Sequence, residues 1–385
     1  MLELGVDEFT LVLQLSKDGR RLLNGTDWEN VSENLIYKFG EVSKFRTVFG
    51  NKTRIQNAFN GYSIAYTYGE HNFFVAIAYH PFHMNMGICI KLSAQAWDYY
   101  SETTALKIYD FLQQIKHRDY TARLSRIDFT VDYIDEDIDV TDIYNNLMAE
   151  RVVLCREYIN AKTGKMEYKK ISFQYRGFAK GQQIPTIYIG SPQSDGELRI
   201  YNKKQEQLER HGTKYTKATQ CDSWVRFEGV FRGKYAHQIS DELMKVQNDN
   251  ELANLIALTI SQKFYFMEND NGILMCTTDY TQMLVDCILQ NNFKLKAASS
   301  RNYDLAVNIK YLFNGSGIMN TLYKVLSIWD INAVLELFDY MIEVLENDYR
   351  PNDDCRYWLS KNLSDYQKNY PDYDSFVREN LLPLL

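Results

Sequence analysis

The chain has 385 residues, which suggests about two domains at roughly 100–200 residues each. Hydrophobic residues make up 45% and charged residues 24%, so disordered, collagen-like and low-complexity classes are excluded. No apolar run approaches the about 18 residues of a membrane-spanning helix, and the net charge of −7 argues at face value against a polyanionic partner.

That average hides an asymmetry. Residues 151–236 carry 17 Lys/Arg against 8 Asp/Glu, a local balance of +9 that leaves −16 for the rest. The last 55 residues hold 11 acidic and 5 basic side chains. A basic middle between acidic ends is expected where one surface meets a polyanion, although a solvated face gives the same count. The six cysteines are scattered, with no C-x-x-C pair, which fits a reducing compartment. The first residues show no basic segment ahead of an apolar one, as a signal peptide would, and read as a strand.

In chain order, strands are expected at 9–15, 62–69, 72–80, 87–93, 125–133, 169–175, 186–190, 197–201 and 224–231, all rich in β-branched and aromatic residues. Helical spacing interrupts them at 96–117 and 140–151. From about Ser240 onward the apolar residues recur at three and four positions, so helices are expected to the end. The reading is α+β: a mostly antiparallel sheet with helices on one face over residues 1–240, then a helical domain over 241–385.

Three of these strands share a feature. In SRIDFTVDY, Ile127, Phe129 and Val131 alternate with Arg126, Asp128, Thr130 and Asp132. In ELRIY, Leu198 and Ile200 alternate with Arg199 and Tyr201; in WVRFEGVF, Val225 and Phe227 alternate with Arg226 and Glu228. The two-residue period sends each polar set to one side of its strand. If the strands share a sheet, Asp128, Asp132 and Glu228 could hold a hard divalent cation, while Arg126, Arg199 and Arg226 grip phosphate and Tyr201 attacks phosphorus. The same alternation describes an ordinary half-exposed sheet with cross-strand Arg–carboxylate pairs.

The segment TIYIGSPQSDGELRIYNKKQEQLERHG (186–212) reads as a hairpin passing into a charged helix, with Tyr201 at the junction and Lys203 and Lys204 after it. Lys204 is expected one turn from Tyr201, where its ammonium would lower the phenol pKa or stabilise charge on phosphate. An ordinary packed tyrosine beside a surface Lys–Glu helix fits the pattern too. Lys162, Lys165, Lys169 and Lys170 lie in or beside a hairpin that could straddle a DNA backbone, or be a solvated tip. Lys294, Lys296 and Arg301 are weaker candidates for DNA contact.

On Thr186, Tyr188, Gly190, Ser191, Ser194, Arg199, Tyr201 and Lys204, with Glu206 one position from the expected acid, the segment resembles the rolling-circle replication initiators of staphylococcal tetracycline-resistance-type plasmids. It is equally similar to the related relaxases of integrative and conjugative elements. The upstream Arg126, Asp128, Asp132 set and the later Arg226, Glu228 set fit in order and spacing, and the resemblance covers about residues 5–240.

It implies a bacterial, cytoplasmic enzyme that nicks one strand at an origin. Tyr201 would become linked to the 5′-phosphate, assisted by Lys204 and Arg199, with Mg²⁺ or Mn²⁺ held among Asp128, Asp132 and Glu228. The implied partners are origin DNA with an extruded or single-stranded nick site, a host helicase, since no Walker-type sequence is present, and a second copy of the chain. The alternatives are a relaxase acting at an origin of transfer and a DNA-binding protein without chemistry. The His-hydrophobic-His metal motif of related nickases is missing, and His80 and His83, separated by Pro81 and Phe82, read as loop residues.

Overall fold

In the computed structural model the first strand, β1 (Leu2–Leu15), runs seven residues further toward the N-terminus than its apolar alternation indicates. The structure describes residues 1–69, 74–160, 164–181, 183–288, 305–314, 317–351 and 353–381. Lys162, Lys294, Lys296 and Arg301 lie outside them.

After β1 come α1 (Trp28–Val42), α2 (Phe45–Phe49), β2 (Thr53–Ile55), β3 (Ile64–Tyr68), β4 (Val75–Tyr79), β5 (Ile88–Leu92), α3 (Ala94–Thr104) and α4 (Ile108–Gln114). The chain continues through β6 (Tyr120–Ile134), α5 (Val140–Met148), β7 (Val152–Ile159), β8 (Met166–Lys170), β9 (Tyr175–Lys180), β10 (Gln183–Ile189) and β11 (Gly196–Asn202). Next follow α6 (Lys203–Arg210), α7 (Tyr215–Gln220), β12 (Trp224–Arg232), α8 (Gly233–Leu243), α9 (Asp249–Lys263), β13 (Tyr265–Asp270), β14 (Ile273–Thr277) and α10 (Asp279–Asp286).

Among the described residues, ten strands form one sheet in the order β2-β3-β4-β5-β1-β6-β12-β11-β10-β9, and four form a second, β14-β13-β7-β8. Every paired neighbour is antiparallel. One side of the large sheet is apolar. Phe9, Leu11, Leu124, Ile127, Phe129, Val131, Phe227 and Ile200 are buried there against Leu35 and Phe39 of α1, Trp97 of α3, Phe111 of α4, Ile239 of α8 and Ile256 of α9. Phe9 meets the Trp97 ring edge-on at 5.1 Å and the Phe111 ring at 5.8 Å. Burying each such side chain is worth about 1.5–3 kcal/mol, which fixes the face that the polar residues of the same strands must take. The architecture is α+β, as the alternation implied.

Four local expectations are revised. The helix over 96–117 is two helices, because Ala105 adopts a left-handed φ of 57° and Asp110 accepts from the Lys107 amide to start the second. The strand over 169–175 breaks at residues 171–174, between β8 of one sheet and β9 of the other. The region after 240 is not all helical: β13 and β14 form a hairpin around Asn271 (φ 49°) and Gly272 (φ 90°). The domain boundary near 240 falls inside α8, whereas the compact units are Met1–Lys296 and Ala297–Leu385. Helix α9 explains the shift: Leu255, Ile256, Ala257, Leu258 and Ile260 are all buried, so it belongs to the first core.

The second unit comprises α11 (Leu305–Asn314), α12 (Ile318–Ile328), α13 (Ile331–Asn347), α14 (Asp353–Asn369) and α15 (Tyr373–Asn380). Asp330 caps α13 by accepting from Asn332 and Ala333, and Phe376 is buried against the rings of Tyr366 and Tyr370. Among the described residues no helix is long and apolar enough to cross a membrane.

Candidate active site

The side of the large sheet opposite the helices carries charge. Strand pairing sets Thr130, Glu228, Arg199, Tyr188 and Arg176 in one cross-strand row, and Asp132, Arg226, Tyr201, Thr186 and Phe178 in the next. Register alone thus brings Tyr201, Arg199, Arg226, Asp132 and Glu228 together from β6, β11 and β12.

The rows are locked by arginine. Arg226 is bidentate to Asp132, with Nε to Oδ1 and Nη2 to Oδ2 both at 2.7 Å, and its Nη1 donates to Asp7 at 2.9 Å. Arg126 is bidentate to Asp128 at 2.9 and 2.6 Å, and pairs with Glu8 at 2.6 Å. Arg199 donates to Glu228 Oε1 at 2.8 Å, while the Tyr201 hydroxyl donates to Glu228 Oε2 at 2.9 Å. Glu197 accepts from Arg176 at 3.0 Å and Arg232 at 3.2 Å. Asp128, Asp132, Arg226 and Glu228 are all buried, so this face is less open than the sequence suggests. Burial of ions is tolerated because each is met by an opposite charge in hydrogen-bonding geometry.

Protonation follows from the same packing. Burial raises the Tyr201 phenol well above its ordinary value, and the adjacent Glu228 carboxylate raises it further, so the proton stays on oxygen at neutral pH. Burial alone would raise Asp132, but hydrogen bonds from Arg226 outweigh it and hold that carboxyl below its ordinary value. Burial pushes Asp128 upward against the pull of Arg126.

Two expectations about the site change. Lys204 does not serve Tyr201: its ammonium donates to the carbonyls of Cys221 at 2.7 Å and Asp222 at 3.1 Å, tying α6 to the entry of β12. Lys203 is the lysine beside the ring, 5.5 Å over it and paired with Glu206 at 2.6 Å. The reason is the strand-to-helix junction, where Asn202 caps α6 by accepting from Gln205 at 2.8 Å and turns Lys204 away. The second concerns Mg²⁺ or Mn²⁺. Among the described residues no three Asp, Glu, His or Cys side chains converge as a cation site. Both oxygens of Asp128, Asp132 and Glu228 are taken by guanidinium or phenol donors, so in this arrangement the three do not fit a divalent ion.

Of the outlying lysines, Lys169 and Lys170 lie on β8, at the edge of the second sheet, Lys170 pairing with Glu150 at 2.7 Å, and Lys165 just precedes that strand. They are not on the sheet that carries Tyr201. His80 and His83 sit in the β4–β5 loop with rings 4.1 Å apart.

Several charged partners escape the alternation. Asp7 and Glu8 both reach the polar face because β1 bulges there: Val6 pairs with Phe129 and Phe9 with Ile127, leaving two residues opposite Asp128. Glu197, Arg176 and Arg232 complete the lattice from β11, β9 and β12. Two donors in it remain unspent, since Arg199 Nε and Arg232 Nη1 are buried without a hydrogen-bond partner. A buried guanidinium donor with no acceptor fits a site that receives an oxyanion. A cleft of about 390 Å³ opens over Arg199, Tyr201 and Glu228, walled by Thr186 and Tyr188 of β10 and by Gln205 and Glu209 of α6.

A model of the replication initiation factor family matches residues 122–327, more than half of the chain and spanning β6, β11 and β12. Among solved structures, a rolling circle replication initiator protein from Geobacillus stearothermophilus is similar at 16% identity and a TM-score of 0.49, over 74% of this chain and 97% of that one. No curated protein matches the chain.

Proposed function

The chain belongs to the replication initiation factor family, and we propose that it starts rolling-circle replication by cutting one DNA strand at an origin, with Tyr201 as the nucleophile. The observation that carries this reading is the hydrogen bond from the Tyr201 phenol to Glu228 at 2.9 Å, inside an arginine-rich cleft.

A phenol held protonated is a poor nucleophile, so it needs a base within hydrogen-bond reach. Glu228 is that base. As Tyr201 Oη bonds to phosphorus, its proton passes to Glu228 Oε2; the P–O3′ bond breaks, and the departing 3′-oxygen takes a proton from solvent. The 5′-phosphate remains on Tyr201 and the 3′-hydroxyl is free for a polymerase. Arg199 keeps the carboxylate in line with the phenol and, through its unpaired Nε, meets a non-bridging phosphate oxygen. The return step uses the same groups: as a 3′-hydroxyl oxygen bonds to phosphorus its proton passes to solvent, the P–Oη bond breaks, and protonated Glu228 gives its proton back to the phenol oxygen. A phenoxide leaves more easily than a sugar alkoxide, so the bond energy is kept for rejoining.

Incubating the protein with a supercoiled plasmid carrying the origin, then separating open-circular from supercoiled DNA, tests the reading. The parent should nick and the Tyr201→Phe variant should bind without nicking. Equal nicking by both would remove Tyr201 from the chemistry, and no nicking by the parent would favour a DNA-binding role alone.

A further inference from the structure

The polar rows do not end at Tyr201. They continue across β10 onto β9, the edge of the sheet, as Tyr201–Thr186–Phe178 and as Arg199–Tyr188–Arg176. Gly177 faces the helices, where an added Cβ would lie 2.6 Å from the Tyr144 ring of α5, so Arg176 and Phe178 on either side of it face the cleft side. Ile187 and Ile189 are buried toward the same helices, which places Thr186 and Tyr188 with Phe178.

The aromatic pair at this end is built. The Arg176 guanidinium lies 5.4 Å over the Tyr188 ring and is itself anchored to Glu197 at 3.0 Å. Tyr188 in turn holds Phe178 edge-on, ring centroids 5.6 Å apart. Phe178 is nonetheless 61% exposed, a large aromatic surface on an edge strand, where solvent-facing apolar groups are otherwise avoided. It stands two strands from Tyr201 in the same row, about 10 Å at the usual strand spacing. Thr186 lies between them, and the cleft over Tyr201 runs along Thr186 and Tyr188, the ring that Phe178 packs against, to Lys180 on β9.

From this geometry we infer that Phe178, braced by Tyr188 and Arg176, is a stacking platform for one unpaired base next to the phosphate that Tyr201 attacks. The inference rests on the nicking reading for the position of that phosphate. In a duplex each base is already stacked on both faces, so an open aromatic side chain selects a strand that is single at this point. Stacking tolerates any base, so the platform selects strandedness rather than sequence.

The test uses a twelve-nucleotide oligothymidylate with a single 2-aminopurine, whose fluorescence drops when it stacks, and a blunt duplex of the same length. The parent should bind and quench the single strand. Phe178→Ala should bind it about 10-fold more weakly, about 1.4 kcal/mol, and lose the quench. Phe178→Trp should restore both, Phe178→Leu neither, and duplex binding should be the same in all four. Thermal melting of each variant confirms folding, which the exposure of Phe178 leaves intact. Equal affinity of parent and Phe178→Ala for the single strand, rescue by leucine, or no single-strand binding by the parent overturns the platform. Tyr201→Phe separates the two readings: it should stack like the parent while losing nicking. Stacking in a parent that never nicks would retain the platform and reject the nucleophile.

Discussion

Tyr201 and Glu228 share one hydrogen bond, phenol to carboxylate at 2.9 Å, and the second oxygen of the same carboxylate takes Arg199 at 2.8 Å. In the proposed reaction this tyrosine, raised well above its ordinary pKa, and a carboxylate oriented by a guanidinium act as a proton-transfer pair.

Glu228→Gln keeps an oxygen that accepts the phenol hydrogen bond and removes the capacity to take its proton. Single-turnover nicking of origin DNA should fall by about 10²–10⁴-fold, with affinity for that DNA changed little. A rate within a few-fold of the parent would assign the base elsewhere.

Arg226 sits between Asp132 and Asp7 with its side chain 3% exposed. Arg226→Met should cost about 3–5 kcal/mol in chemical denaturation, because it strands a buried carboxylate. Adding Asp132→Leu should recover part of that loss; a single substitution costing under about 1 kcal/mol would show that the pair is solvated.

Acid stability should depend on Asp119. Burial alone would raise this carboxyl, but hydrogen bonds from Lys38 at 2.6 Å and from Arg21 outweigh it and hold the folded value below the ordinary 3.8. The unfolded chain therefore binds the proton more readily. The contribution is fully present above about pH 5, shrinks once the pH falls through 3.8, and is gone below the folded value. Asp119→Asn should be less stable than the parent at pH 7, and the gap should narrow as the pH falls toward 3. A gap independent of pH would contradict this.

Gly19 is buried in the turn after β1, and a Cβ there would sit 2.0 Å from the Asp119 carbonyl oxygen. Backbone cannot yield as a side chain does, so Gly19→Ala should lower stability by about 1–3 kcal/mol, measured by urea unfolding. An unchanged midpoint would show that the turn relaxes freely.

The sequence makes the polar face legible wherever strands keep a strict two-residue period: Asp132, Arg226 and Tyr201 follow it into one row, Glu228 and Arg199 into the next, and Asp128 into the row beyond, opposite Val230. Legibility ends where the period breaks or the partner is remote. The bulge at Asp7 and Glu8 cannot be read from alternation, and Glu197 meets Arg176 only through the pairing of β11, β10 and β9. Lys204 misleads because helical spacing from Tyr201 does not hold: Tyr201 is still on the strand, the helix starts at Lys203, and the Asn202 cap turns Lys204 away. The Asn271-Gly272 hairpin was marked locally by its turn residues but overshadowed by helical spacing on both sides. In α9 the four consecutive apolar residues Leu255–Leu258 cover every side of the helix, and all are buried, which places it with the sheet rather than beyond a boundary.

The most direct test of the central claim is to locate the covalent bond. A 3′-labelled single strand containing the nick site is incubated with the protein, the adduct is digested with trypsin, and the modified peptide is sequenced by mass spectrometry. The account predicts a 5′-phosphate ester on Tyr201, absent in Tyr201→Phe, together with a released fragment whose 3′-hydroxyl a polymerase extends. An ester on any other residue, or an adduct undiminished in Tyr201→Phe, would contradict it.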